Sequence, residues 1–153
     1  SLKCPSETDA RFSTLIQGAS NNREFLAQPE LRGNAVSIKD SLKYKYLIDV
    51  DGNACTYSRF YWILRSQSVP LKHQSSFIQW YYKGLKPFEH YIPIKEDFSD
   101  LADQVKWARA HDNEVKKIAK NSSDFAKQNL ATEDAYVYLY LCLMKYHSLF
   151  AKK

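Results

Sequence analysis

A chain of 153 residues, 44% apolar and 14% aromatic with only 4 Gly and 5 Pro, is one domain's length of globular sequence. It can bury a core without covalent staples and is unlike a disordered chain. The net charge of +5, from 22 basic against 17 acidic residues, is scattered; without zinc-finger spacing, a basic heptad region or an RNA-binding aromatic signature it argues against nucleic acid and for mild attraction to anionic ligands.

In chain order, residues 1–41 are polar and punctuated by Asn21-Asn22, Gln28-Pro29 and Arg32-Gly33-Asn34, all turn signals. Short elements are expected there, around residues 11–17 and 23–27. The start, Ser1-Leu2-Lys3-Cys4-Pro5, has no Met and no leader or transit-peptide character, and reads as a processed or excised piece. Residues 37–44 predict a short helix or turn. Residues 46–50 form an apolar run closed by Asp51-Gly52, the pattern of a buried parallel strand. Strand-like runs follow at 68–72 and 90–94, separated by segments of helical composition at 58–65 and 77–84. This alternation predicts an α/β fold, a parallel sheet flanked by helices. Pro70 and Pro93 each lack an amide donor and push their strands towards the edges, so residues 46–50 are expected to be the most central strand.

Beyond Asp97 the chain reads as helix. Ser99 is a cap for a helix carrying Leu101, Val105 and Ala108 on one face, with Asp100 and Asp103 near its positive end. Asp112 opens the next, with Val115, Ile118, Ala119 and Phe125 as its stripe. Residues 133–150 are apolar almost all round but carry Lys145 and His147 and fall short of a bilayer span, so a buried closing helix is expected and no transmembrane segment. The organisation is therefore a single, partial domain: irregular at 1–41, an α/β core at 42–96 and helical at 97–153.

Chemistry concentrates at residues 46–60. In open α/β sheets, ligands sit beyond the carboxyl ends of strands, where a turn into a helix offers backbone N–H groups and a positive dipole end to a phosphate. Gly52, Asn53 and Ala54 permit the tight turn; Thr56 and Ser58 can bind phosphate oxygens or cap the helix; Arg59 can meet a diphosphate with paired donors. The plainer reading makes Ser58 an N-cap and Arg59 a surface charge.

Rival readings share these letters. Asp49-x-Asp51-Gly52 is no EF-hand, because the glycine comes two places early and Phe60 stands where Glu is required. The same letters resemble the nucleophile motif of haloacid-dehalogenase-type phosphatases, with Asp49 attacking phosphorus and Asp51 as acid and base. That family would place Thr where Asn53 stands. A lone D-x-D is also the metal-binding signature of one glycosyltransferase fold, and it is frequent by chance. His73, His90, His111 and His147 show no metal spacing, and no nucleophilic triad follows from spacing. Cys4, Cys55 and Cys142 are odd in number and far apart, which fits a reducing compartment. Eleven Tyr and three Trp suit half-wet ligand clefts or a protein-docking surface, although such rings also fill cores.

Taken together, Lys43-Tyr44-Lys45-Tyr46-Leu47, Asp51-Gly52, Ser58-Arg59-Phe60, Ser66-Gln67-Ser68, Trp80-Tyr81-Tyr82, Leu85-Lys86-Pro87, His90-Tyr91-Ile92-Pro93 and Asp97-Phe98-Ser99-Asp100-Leu101 resemble family-90 glycosyltransferases. That group includes Rumi-type protein O-glucosyltransferases and bacterial lipopolysaccharide-modifying homologues. The resemblance runs from about Asp9 to about Phe150 and rests on the order and spacing of the blocks.

It implies a GT-B architecture of two Rossmann-like halves, this chain being most of the C-terminal, donor-binding half. The activity implied is metal-independent transfer of a hexose or pentose from a UDP-sugar to a glycan, lipopolysaccharide or protein hydroxyl, with no cofactor. The loop of Asn53, Ala54, Cys55, Thr56, Tyr57, Ser58 and Arg59 would hold the diphosphate, with Arg59 neutralising the leaving UDP. Lys72, His73, Gln74 and Asp97, at the next strand ends, are candidates for base and ribose. Asp49 and Asp51 would shape the loop. The family's general-base aspartate and a second Ser/Arg donor loop lie upstream, so the chain alone is expected to be inactive. One residue more separates Gly52 from Arg59 than in some Rumi-type members. Bacterial members would face the cytoplasm and eukaryotic ones the endoplasmic reticulum lumen; the cysteines and the lack of a retention tail point to the former. A non-catalytic interaction module is the alternative from another class.

Overall fold

The computed structural model describes Pro29 and residues 33–150. The short elements expected around 11–17 and 23–27, and Cys4, lie outside the described residues. The chain divides into two units, Ser1–Lys43 and Tyr44–Lys153. In the first, Ser37 caps a single turn, α1 (Ile38–Ser41), its Oγ accepting from Asp40 N–H at 3.1 Å.

The second unit is a parallel three-stranded sheet, β1 (Tyr46–Asp49), β2 (Val69–His73) and β3 (Ile92–Ile94), in the order β1-β2-β3. Between β1 and β2 runs α2 (Tyr57–Arg65); after β3 come α3 (Leu101–Ala110), α4 (Asp112–Asn129) and α5 (Thr132–Phe150). The α/β class with a helical C-terminus holds. Val69, Leu71, Ile92 and Ile94 turn one sheet face onto Val105 and Ala108 of α3 and Val115, Ile118 and Ala119 of α4. On the other side Phe60 and Leu64 of α2 join Tyr81, Leu85, Ala126 and Leu130 in a second buried cluster.

Four expectations change. The central strand is β2, not β1, and Pro70 sits in it. Val69 N–H donates to Lys45 O, so by strand alternation Pro70 turns its missing donor towards β3, whose ladder begins only opposite Leu71. No ladder bond is lost. Pro93 behaves as expected: β3 is an edge, and Ile94 O faces β2, accepting from Gln74 N–H, so Pro93 points outward. The segment 77–84 is not an α-helix; it holds only a 3-10 turn, Tyr82–Gly84. Its rings pack on one another instead, Trp80, Tyr81 and Tyr82 edge to face at centroid spacings of 5.1–5.5 Å, while Gly84 admits the Phe125 ring so closely that a Cβ there would lie 2.8 Å from it.

At helix starts the caps shift by one residue. Asp100 precedes α3, its carboxylate accepting from Lys95 N–H, and His111 precedes α4, with Asp112 the first helical residue. Asp112 ties α4 to the start of β1 through Lys45; its carboxyl is lowered to about 2 by the hydrogen bond from Lys116 and then by Lys45.

The largest change concerns α5, which buries nothing among the described residues: Tyr136, Leu139, Leu143 and Phe150 are each more than half exposed. It meets the rest of the unit where Tyr138 leans on Trp80 at 5.4 Å, beside an open cleft of about 340 Å³. An apolar stripe on every side cannot select one face to bury, and α4 already covers the sheet. Truncation after residue 131 is therefore expected to shift stability by only about 1 kcal/mol, the worth of one aromatic contact. Urea unfolding of the shortened chain checks this, and binding of a hydrophobic dye should fall with it. No helix among the described residues is long and apolar enough to cross a membrane.

Candidate functional site

The register of two strands builds the site. Asp49 lies opposite Lys72 at the carboxyl ends of β1 and β2, on the sheet face that meets α2. Lys72 Nζ stands 2.9 Å from Asp49 Oδ2 and 2.9 Å from Asp51 Oδ1, with side chains 8%, 0% and 2% exposed in that order. The ammonium also lies 5.4 Å from the centre of the Phe60 ring and 5.5 Å from that of Tyr82. Two carboxylates and two rings therefore enclose one cation.

Around this cluster the loop is tied at both ends. Thr56 Oγ1 donates to Asp49 Oδ1 at 2.5 Å, and Thr56 N–H donates to Asp51 Oδ1 at 3.2 Å. Ser75 Oγ donates to Asp51 Oδ2 at 2.5 Å. Burial alone would raise the Asp51 carboxyl, but the hydrogen bonds from Ser75 and Lys72 prevail and hold it below its ordinary value. The Tyr81 and Tyr82 hydroxyls are buried without a hydrogen-bond partner among the described residues, and burial pushes both phenols up.

Thr56 stands at the N-cap of α2 yet makes no capping bond, because Asp49 takes its hydroxyl; Ser58 is the second helical residue rather than the cap. Within the loop, Gly52 N–H donates to Ala54 O and Tyr57 N–H to Cys55 O. Tyr57, 82% exposed, has φ 30°, a left-handed conformation costing a β-carbon residue on the order of 1 kcal/mol. Asn53, Ser58 and Arg59 are exposed, and Ala54 and Cys55 are half-buried. The outer surface of the loop thus carries Ser58 and Arg59 on the first turn of a nine-residue helix, the end that favours an anion.

The second group of sequence candidates does not gather into one surface. Lys72 is consumed by the cluster. His73 is buried, its ring stacked on Phe98 at 4.6 Å and its Nε2 3.1 Å from Glu96 O. Gln74 and Asp97 are exposed; Asp97 Oδ1 accepts from Ser99 N–H at 2.9 Å, which lowers its carboxyl and shapes the turn into α3. Sequence reasoning missed Ser75 and the ammonium between the aspartates. The signal was a lysine closing the apolar run Val69-Pro70-Leu71, with Ser75 three residues on.

Away from the loop, His90 Nδ1 accepts from Lys86 N–H at 3.0 Å, and burial, opposed by Glu89 and aided by Lys86, lowers the imidazole below its ordinary 6.5. A group whose folded pKa is depressed stabilises fully above the unfolded value and loses that contribution as pH falls through the folded one. Stability should therefore decline below about pH 6.5, and His90→Gln should flatten that part of the profile in thermal melts from pH 7.5 to 5.

The two aspartates do not form a reactive pair. Asp49 is fully buried and cannot reach a phosphorus atom, and the space between the carboxylates is filled by Lys72 Nζ. Among the described residues no group of three or more His, Cys, Asp or Glu is placed to hold a metal ion.

Comparison with known proteins gives the context. The family described as Glycosyl transferase family 90 matches residues 2–153. The chain is similar to Protein O-glucosyltransferase 2 of Danio rerio, 40% identical over 114 residues covering 74% of this chain and 23% of that protein. Similarity to Protein O-glucosyltransferase 3 of Homo sapiens is 41% over 107 residues, 70% of this chain and 21% of the relative. Protein O-glucosyltransferase 1 of Rattus norvegicus matches at 31% over 146 residues, 95% of this chain and 36% of the relative. The chain thus spans between about a fifth and about a third of the length of these relatives.

Proposed function

The chain belongs to glycosyl transferase family 90, and from that premise we propose that it is the donor-binding part of a glycosyltransferase, taking the diphosphate of a UDP-sugar on the outer face of residues 53–59. The observation that carries this is the exposed pair Ser58 and Arg59 on the first turn of α2, beyond the carboxyl end of β1. A diphosphate gains charge as the sugar leaves. Where no metal is used, that charge is met by a guanidinium and the positive end of a helix, and this turn carries both. Tyr57, Thr56, Cys55, Ala54 and Asn53 supply the backbone beneath it, and exposed Gln74 and Asp97 are the groups open to base or ribose.

The relatives' names favour a protein hydroxyl as acceptor over a glycan or lipopolysaccharide one. In this reading the chain contributes one Rossmann-like half of a GT-B enzyme, and the base that activates the acceptor comes from outside it. The aspartate-nucleophile phosphatase finds no support, since Asp49 is inaccessible. An interaction module draws its support from the exposed α5 alone. Calorimetric titration of the full-length protein with UDP decides between them: binding that Arg59→Ala weakens supports the donor site, and absence of binding to the wild type, or affinity unchanged in Arg59→Ala, overturns it.

A further inference from the structure

We propose that Lys72 is a positioning residue of the donor site, locking the loop that carries Ser58 and Arg59 rather than contacting the nucleotide itself. The inference rests on the donor reading above and gives a role to a buried charge which that reading leaves unused.

An ammonium with its side chain 8% exposed must be held by carboxylates, and here it is held by two. Those two carboxylates are also the anchors of the loop. Asp51 begins it and takes the Thr56 amide; Asp49 takes the Thr56 hydroxyl. Thr56 is the last residue before α2, and Arg59 N–H donates back to Thr56 O at 2.8 Å, so the placement of Thr56 sets the first turn of the helix. Ser75 acts on the loop through the same Asp51 carboxylate, while Gln79 Nε2 reaches exposed Tyr57 O, at φ 30°, only at 3.4 Å. Without Lys72, two carboxylates would face each other across a dry space; either one takes up a proton or one swings out, and in both cases the loop loses the charge that pins it. The strained Tyr57 backbone would then relax, and Ser58 and Arg59 would lose their fixed direction. Lys72 is on β2, the central strand, so it transmits the rigidity of the sheet to the loop.

Lys72→Met in the full-length protein tests this, with Asp51→Ala as a second variant that keeps one balanced Lys72–Asp49 pair and so preserves folding. Val115→Ala, in the core on α4 away from the loop, is the control for loss of stability alone. Two readouts are needed: amide hydrogen exchange of residues 52–59, and calorimetric affinity for UDP. The expected result is exchange at 52–59 faster in both loop variants by at least about tenfold more than the acceleration of the α4 amides, which reports their loss of global stability, together with UDP affinity weaker by about tenfold or more. Val115→Ala should show neither. Unchanged exchange at 52–59 overturns the lock whether or not UDP binds. Faster exchange with wild-type UDP affinity overturns its link to the donor site. A wild type that binds no UDP instead overturns the donor reading, and the exchange measurement still decides the lock.

Discussion

Arg59→Ala is expected to weaken UDP binding by about 10- to 100-fold and to lower transfer by the full-length protein by about 10²- to 10³-fold, while leaving the unfolding transition unmoved. The binding figure follows from losing charge-assisted hydrogen bonds worth about 1.5–3 kcal/mol. The larger effect on transfer follows from the charge that grows on the departing diphosphate, because a donor aimed at developing charge counts most in the transition state. Stability is unaffected because Arg59 is exposed, and its backbone bond to Thr56 does not depend on the side chain. Arg59→Lys should recover only part of the loss, since an ammonium lacks the planar pair of donors. Equal UDP affinity in Arg59→Ala and wild type would sink the assignment.

Lys72→Met should produce the largest loss of stability, about 3–5 kcal/mol, because it leaves two buried carboxylates with no cation. Asp49→Asn should cost clearly less. It leaves a one-to-one Lys72–Asp51 pair and retains an oxygen to accept the Thr56 hydroxyl. The rank order is more informative than either value, since a cluster valued only for its packed volume would tolerate methionine better than the loss of a carboxylate. Urea denaturation of the three proteins at pH 7, with equal slopes required, settles it. A Lys72→Met protein as stable as wild type would show that the ammonium is dispensable.

Much of the fold is legible from local pattern. The apolar run closed by Asp51-Gly52 became β1, the runs around Val69 and Ile92 became β2 and β3, and the stripe of Val115, Ile118 and Ala119 became the buried face of α4. Each is a short-range periodicity that the backbone geometry reads directly. The misreadings share one cause. The position of Pro70 in a strand depends on which neighbour its missing amide faces, which is a matter of pairing. The burial of α5 depends on whether another surface is there to receive it, and its own sequence, apolar on every side, carries no such information. The segment around Trp80 has helical composition, yet its rings find better partners in one another and in the cluster under α2.

By itself, the sequence determined the α/β alternation, the turn after β1 and the family, because these rest on residue types in a fixed order. It also placed Ser58 and Arg59 at a helix start. Only the tertiary structure decided what Asp49, Asp51 and Lys72 are for. Written out, they are two aspartates of catalytic appearance and a lysine at a later strand end, 21 residues beyond Asp51. Folded, the β1–β2 register sets Asp49 beside Lys72, and the loop brings Asp51 to the same ammonium. Charges that water would have screened apart become one neutralising cluster once buried, since an ammonium taken out of water must find its counter-charges inside the protein.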